Sequence, residues 1–139
     1  MQKDSILHEI IGIILLLFSF IVFLSIVSFN INDYHQIIAN NSVKNIIGPI
    51  GALISHLFRS SFGKAAYFIP IIFGIFGWNY LKKRQMSDAL GRVFSLFFMV
   101  IALSSVFAIF GNKIVQFSGG YIGLYIKTFL VSIFGKVGG

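Results

Sequence analysis

Three uncharged apolar stretches alternate with polar segments along the chain. The first, IIGIILLLFSFIVFLSIVSFNIN, ends at Asp33, and the last, VFSLFFMVIALSSVFAIFGN, begins after Arg92. The core of a bilayer is about 30 Å thick and is crossed by a helix of about 20 apolar residues, so both stretches are long enough. The pattern predicts membrane-spanning helices over residues 10–30 and 93–111.

The middle stretch, AAYFIPIIFGIFGWNYL, lies between Lys64 and Lys82 and is close to the lower limit of about 17 residues for a spanning helix. Both lysines can extend their charged ends toward opposite membrane surfaces, so a second span is predicted over residues 65–81. Pro70 lies inside this span, where it removes a backbone hydrogen bond and bends the helix. No charged residue lies within the span, so the bend is interpreted as part of the architecture and not as a transport gate.

A helical pattern of another kind precedes this span. In GPIGALISHLFRSSFGK, from Gly48 to Lys64, apolar residues recur at helical spacing, but Gly, Pro, Ser, His and Arg are mixed among them. The mixture predicts an interfacial helix over residues 48–61, which lies at the membrane surface. The polar segment Tyr34–Asn45 before it is expected to be an outer loop.

The segment GPIGALISHLFRSSFGK has a counterpart seventy-two positions later, GYIGLYIKTFLVSIFGK, which is identical at eight of seventeen positions without a gap. A second interfacial helix is therefore predicted over residues 120–133. A spanning helix follows the first copy, and by analogy a fourth span is expected to begin at Val137, beyond which the chain has only two residues. Alternatively, residues 119–139 cross the membrane themselves, although Lys127 at the bilayer centre would cost about 3 kcal/mol.

The glycines shared by the two copies are candidate packing residues. Glycine lets two helices approach closely because it has no side chain. It also ends and caps helices because it readily adopts positive φ angles. The repeat is compatible with both roles. The positions concerned are Gly48, Gly51, Gly63, Gly120, Gly123 and Gly135, to which Pro70 is added as a structural residue.

The composition agrees with a membrane protein. Of the 139 residues, 57% are hydrophobic and 11% are charged, which is too apolar for the surface of a soluble domain. The chain has no cysteine, so a disulfide framework and a thiolate metal site are excluded. The first apolar stretch is longer than the core of a signal peptide and lacks a small-x-small cleavage site, so we expect it to be retained.

The net charge is +7, and its densest part is a short loop after the second span. Short loops rich in Lys and Arg remain in the cytoplasm, so the loop Leu81–Gly91 is expected inside, and the N-terminus with it. Six other basic residues would then lie outside, so the assignment depends on charge density and not on totals. Neighbouring aromatic residues suit a membrane interface, and the basic side chains can attract anionic lipid headgroups. This basic edge consists of Trp78, Tyr80, Lys82, Lys83, Arg84 and Arg92.

The sequence offers no set of residues suited to catalysis or metal binding. The four acidic residues are scattered, and His35 and His56 are expected on the opposite side of the membrane from His8 and Glu9. A phosphate-binding loop would need G-x-x-x-x-G-K-[ST], but neither Gly-Lys pair of the repeat is followed by Ser or Thr. We therefore predict no catalytic residue, no cofactor, no metal and no enzyme activity.

Taken in order, these segments resemble the N-terminal four-helix membrane region of the FtsK/SpoIIIE family of DNA translocases. The resemblance implies one all-α integral membrane domain over residues 1–139, with three spans and two interfacial Gly-x-x-Gly helices, in which the fourth helix of the family is missing. Its most specific part is G-x-x-G-A followed by F-G-x-x-A-Y-x-x-P, here Gly48, Gly51, Ala52, Phe62, Gly63, Ala66, Tyr67 and Pro70.

In that family the membrane region precedes a linker and a RecA-like ATPase that moves DNA at the division septum. The resemblance implies a multi-pass protein of the bacterial inner membrane that anchors and oligomerises the translocase and targets it to the septum, in cell division and chromosome segregation. The expected partners are the lipid bilayer, further copies of the chain and division proteins; no nucleic acid is expected to bind this segment. An alternative is a small channel, holin-like or transporter subunit, although the three spans have few charged or polar residues to line a conducting path.

Overall fold

The protein is described by a computed structural model that covers residues 2–82, 89–111 and 114–135. The described residues form helices and connecting turns without any strand, which confirms the all-α class. In chain order the helices are α1 (Gln2–Val27), α2 (Asp33–Ile38), α3 (Pro49–Phe62), α4 (Phe68–Leu81), α5 (Ala89–Phe110) and α6 (Gly120–Phe134), with 3-10 segments at Gly63–Tyr67 and Val115–Phe117.

Three helical stretches of the described residues are long and apolar enough to cross a membrane, namely Ile6–Val27, Pro49–Leu81 and Gly91–Phe110. Each overlaps one of the three predicted apolar spans, and the middle stretch also includes the segment predicted as an interfacial helix, whereas α6 is apolar but has only 15 residues. The middle stretch is not one continuous α-helix, because α3 ends before Gly63, which has a φ of +59° and begins the 3-10 segment that leads to α4. The 3-10 segment and α4 together rise about 30 Å, which is the thickness of a bilayer core.

Helices α1 and α4 pack side by side in opposite directions. Near one end of the pair, the rings of His8 and Tyr80 stack with their centroids 5.7 Å apart. Farther along, Ser19 Oγ donates a hydrogen bond of 2.6 Å to the carbonyl oxygen of Pro70, which lies in the first turn of α4. Between these contacts, a Cβ atom on Gly12 would lie 2.9 Å from Gly77 O. The absence of side chains at both glycines therefore allows the two backbones to approach.

The buried core is small and lies where α1, the first 3-10 segment and α5 meet. Alanines of the 3-10 segment keep the distance between these elements short. Helix α4 packs mainly against α1, whereas α5 packs mainly against α6 and the first 3-10 segment. The core residues are Val22, Ile26, Phe62, Ala65, Ala66, Ile69 and Val100.

Large apolar side chains face outward along the helices. Phe98 of α5 is 66% exposed and Phe129 of α6 is 63% exposed, whereas Ser25 and Ser104 are completely buried. The same distribution holds in α3, where Ile50 and its neighbours at helical spacing are exposed while the opposite face is small or polar. This is the reverse of a water-soluble fold and suits a protein whose solvent is lipid.

Candidate functional site

The two copies of the repeat meet at a junction formed by Ser61–Lys64 and Ser118–Gly120, here called the inter-unit junction. Gly63 has a φ of +59° and Gly120 a φ of +70°, and residues other than glycine rarely adopt such positive φ angles. A Cβ atom on Gly63 would lie 2.5 Å from Gly120 N, and one on Gly120 would lie 2.5 Å from Phe62 N. Both positions therefore require glycine for backbone conformation and for space.

Hydrogen bonds hold this junction. Lys64 N donates to Ser118 O at 2.7 Å, which ties the start of the first 3-10 segment to the chain just before α6. Ser118 Oγ donates to Phe107 O at 2.9 Å, and Ser104 Oγ donates to Gly119 O. Two serines thus donate hydrogen bonds to backbone carbonyl groups where α5 and α6 meet, and Gly119 O also accepts one from Gly123 N at 3.3 Å.

The second glycine of each Gly-x-x-Gly motif lies against a serine of an earlier long helix. A Cβ atom on Gly51 would lie 3.0 Å from Ser25 Oγ of α1, and one on Gly123 would lie 2.8 Å from Ser104 Oγ of α5. Gly51 would also meet the side chains of Asn45 and Ile47. The two copies therefore have the same kind of close contact at equivalent positions.

Gly48 and Gly135 differ from the other candidate glycines. Gly48 precedes the first residue of α3 with a φ of +77°, and Gly135 follows the last residue of α6 with a φ of +72°. A Cβ atom at either position would have no neighbour within 4 Å in the described part of the chain. Their geometry is that of helix ends, without a close packing contact.

A buried hydrogen-bond network connects the segment between α1 and α3 to both helices. The carboxylate of Asp33, which is 1% exposed, accepts hydrogen bonds from Lys44 N at 3.0 Å and Asn45 N at 2.9 Å. Asn45 Nδ2 in turn donates to Ser25 O at 2.9 Å and lies 3.4 Å from Ser55 Oγ. The network was not predicted, because Asp33 and Asn45 appeared as polar residues at the two ends of a loop.

Arg59 is the buried cation of this region. Only 4% of it is exposed, and its guanidinium carbon lies 5.3 to 5.4 Å from the ring centroids of Phe29, Tyr67 and Phe117. Nη1 is 3.5 Å from Gly63 O, and Nε has no acceptor in the described part of the chain. Three aromatic rings therefore surround the guanidinium group of Arg59. The sequence predicted only that Arg59 belongs to an interfacial helix.

The described part of the basic edge combines an aromatic residue with cations. Trp78 is 54% exposed, and Lys82 Nζ lies 4.9 Å from its ring centroid. Tyr80 stacks on His8, and Arg92 is exposed near the start of α5. Lys83 and Arg84, which were predicted to belong to the same edge, lie outside the described residues.

The rings of His35 and His56 both lie near Tyr34, at centroid distances of 6.0 Å and 4.3 Å. Nowhere in residues 2–82, 89–111 and 114–135 do three or more His, Cys, Asp or Glu residues lie close enough to hold a metal ion. The arrangement is suited to packing helices and fixing a loop.

Comparisons with known proteins give a consistent result. The family model described as the 4TM region of DNA translocase FtsK/SpoIIIE matches residues 4–139. A protein of Shewanella oneidensis named DNA translocase FtsK is 29% identical over 127 residues, which covers 84% of this chain and 14% of that relative. The chain therefore spans about one seventh of the relative's length. No solved structure matches the chain significantly.

Proposed function

Because the chain belongs to the family of the 4TM region of DNA translocase FtsK/SpoIIIE, we propose that it is the membrane-anchoring and oligomerisation module of an FtsK-like translocase and directs it to the division septum. The observation that carries this proposal is the match of the family's membrane region to nearly the whole chain, which includes three helices able to cross a membrane. The similarity does not extend to a motor domain. The role proposed for this chain is therefore to anchor the translocase in the membrane, without an enzyme activity of its own.

Anchoring is supported by the outward-facing apolar surface of the helices. Side chains such as Phe20 and Phe98, 60% and 66% exposed, would be unfavourable in water and favourable against acyl chains. The proposed location is the bacterial inner membrane, with several passes. The proposed topology has the N-terminus and the basic edge in the cytoplasm, which is supported by the density of positive charge between α4 and α5.

We further propose that α3 lies at the outer membrane surface, over residues 48–61 as the sequence predicts. The contacts of α3 support this. His56 stacks on Tyr34 with the ring centroids 4.3 Å apart, and Arg59 lies over the ring of Phe29. Tyr34 and Phe29 both belong to the segment that connects α1 to α3. By contrast, contacts between α4 and α1 continue as far as His8. Helix α3 thus stays at one end of the α1–α4 pair.

The same placement is proposed for α6, over residues 120–133. Lys127 Nζ donates a hydrogen bond of 3.0 Å to Ala108 O, two residues before the end of α5. This contact supports a position of the ammonium group near the membrane surface, where its insertion is less costly than at the bilayer centre. From Thr128 to Gly135 every residue of the segment is exposed. This exposed half of α6 is the surface that we propose for contacts with further copies and division proteins.

The septum-targeting part of the proposal is tested by imaging. The chain would be fused through its N-terminus to a fluorescent protein and expressed in dividing cells of Shewanella oneidensis, with an unrelated multi-pass protein as the control. We expect fluorescence to concentrate at the septum relative to the control. Uniform fluorescence around the cell would contradict septum targeting and leave anchoring intact, whereas diffuse cytoplasmic fluorescence would contradict anchoring.

The oligomerisation part is tested on the purified chain. Native mass spectrometry in detergent measures the number of copies per particle directly. We expect a defined oligomer that the variant Phe129→Gln, on the exposed half of α6, dissociates. A matched change at Phe98→Gln, on an exposed face of α5, is expected to leave it intact. Monomers alone for the unaltered chain would contradict the proposal.

A further inference from the structure

An apolar groove lies between α4 and α5, next to the buried core, and shares Phe62 with the inter-unit junction. Its volume is about 270 Å³, it is open along one side, and its walls are apolar. One wall comes from a stripe of α4 that includes Phe73, whose ring also meets Phe18 of α1 edge to face at a centroid distance of 5.0 Å, and the other comes from a stripe of α5. The residues that define it are Ile69, Phe73 and Phe76 of α4 and Val93, Phe97 and Val100 of α5.

The groove exists because α4 and α5 pack mainly against other elements and not against each other. Helix α4 lies mainly against α1, and α5 lies mainly against α6 and the first 3-10 segment. At the far end, the rings of Phe62 and Phe97 meet edge to face at a centroid distance of 6.3 Å. Side chains that border empty space lose dispersion contacts, and water has no polar partner on these walls. An apolar occupant is therefore favoured.

The opposite end of the groove leads to the basic edge. Val93 lines the groove and follows the exposed Arg92 directly. On α4, Phe76 precedes Lys82 by six residues, which is about 9 Å along a helix. The apolar groove thus ends beside Arg92 and toward the end of α4 at which Lys82 lies.

We propose that this groove binds an anionic phospholipid, with an acyl chain between α4 and α5 and the phosphate beside Arg92 and Lys82. The walls match a hydrocarbon chain, and the positive end matches a headgroup with net negative charge. A helix from a second copy inside the groove fits the observations less well, because a copy with the same orientation would bring its own cations directly against Arg92. The inference depends on membrane insertion and is independent of septum targeting and oligomerisation.

The test is native mass spectrometry of the detergent-purified chain with an equimolar mixture of phosphatidylglycerol and phosphatidylcholine that carry the same acyl chains. The unaltered chain is expected to retain phosphatidylglycerol preferentially. Arg92→Gln is expected to reduce this preference about fivefold, the effect of one charge near a lipid surface. Val93→Trp, which fills the mouth of the groove, is expected to reduce the retention of both lipids. Helical content by circular dichroism shows whether each variant remains folded.

Two matched variants control for charge and for bulk. Lys44→Gln removes a cation from the exposed outer loop, and Val106→Trp adds the same ring on an exposed position of α5 outside the groove. Neither is expected to change lipid retention. Equal retention of the two lipids by the unaltered chain, or equal losses in Arg92→Gln and Lys44→Gln, would overturn the proposal. A disulfide between two copies of Phe73→Cys, in a chain otherwise free of cysteine, would also overturn it by assigning the groove to a second copy.

Discussion

Gly63, which follows α3, and Gly120, at the start of α6, lie so close together that a side chain on either one would overlap the backbone of the other segment. Each has a positive φ, and a Cβ atom on either would lie 2.5 Å from a backbone nitrogen of the opposite segment. Backbone atoms cannot rotate away as a flexible side chain can. The contact between the two copies of the repeat therefore depends on the absence of two side chains.

Gly63→Ala and Gly120→Ala are each expected to lower the free energy of unfolding by more than about 2 kcal/mol, because conformational strain and overlap act together. The measurement is thermal unfolding of the purified chain in detergent, followed by circular dichroism. Gly48→Ala provides the matched control, since Gly48 has a positive φ but nothing within 4 Å of its Cβ position. Its expected loss is about 1–3 kcal/mol, from strain alone, and smaller than that of either close-packed glycine. Equal losses in the three variants would contradict the role of close packing.

Asn45→Ala is expected to destabilise the loop between α1 and α3 by about 1–3 kcal/mol, because it removes the side-chain donor that lies 2.9 Å from the buried carbonyl oxygen of Ser25. Hydrogen exchange measured by mass spectrometry should show faster exchange in the peptide that contains Asp33. Asn41→Ala, at an exposed position of the same loop, is expected to change neither quantity. Unchanged exchange in Asn45→Ala would show that the network does not hold the loop.

Arg59→Met is expected to keep the free energy of unfolding within about 1 kcal/mol of the unaltered chain, since it replaces a poorly paired buried charge by an apolar side chain of similar length. Arg59→Lys is expected to lose about 1–3 kcal/mol, because an ammonium group is more strongly hydrated and cannot stack its plane on the three rings. Unfolding in detergent measures both. If Met were the more destabilising of the two, the charge itself would be essential.

Gly77→Ala is expected to destabilise the α1–α4 pair by about 1–3 kcal/mol, because its Cβ atom would lie 3.0 Å from Gly12 O. Gly91→Ala places the same group in α5 with no neighbour within 4 Å, so it is expected to be neutral or stabilising by up to about 1 kcal/mol. Thermal unfolding compares the two. A stabilising effect of both substitutions would contradict the close approach of α1 and α4.

The positions of the apolar helices were predictable because a bilayer imposes one length and one composition on any helix that crosses it. The partner of each glycine was not predictable. The repeat makes Gly63 equivalent to Gly135 and Gly48 equivalent to Gly120, yet the structure brings Gly63 to Gly120, at the end of one copy and the start of the other. A sequence repeat identifies equivalent positions and carries no information about which of them touch.

Buried polar residues were also beyond prediction from local patterns. Asp33 and Arg59 are charged residues beside apolar segments, which in most membrane proteins are exposed at the interface. Their burial depends on Asn45, twelve residues after Asp33, and on rings from three separate segments around Arg59. Gly12 and Gly77 were missed for the same reason, because each lies in an apolar run and belongs to no motif of the repeat.

Single-cysteine labelling can test the multi-pass arrangement, because the chain has no cysteine of its own. Intact and permeabilised cells would be treated with a membrane-impermeant maleimide after introduction of Asn41→Cys, Gln85→Cys or Ile14→Cys. We expect Asn41→Cys to be labelled in intact cells, Gln85→Cys only after permeabilisation, and Ile14→Cys in neither case. Labelling of Gln85→Cys in intact cells would reverse the proposed topology, and labelling of Ile14→Cys in permeabilised cells would contradict membrane insertion of α1.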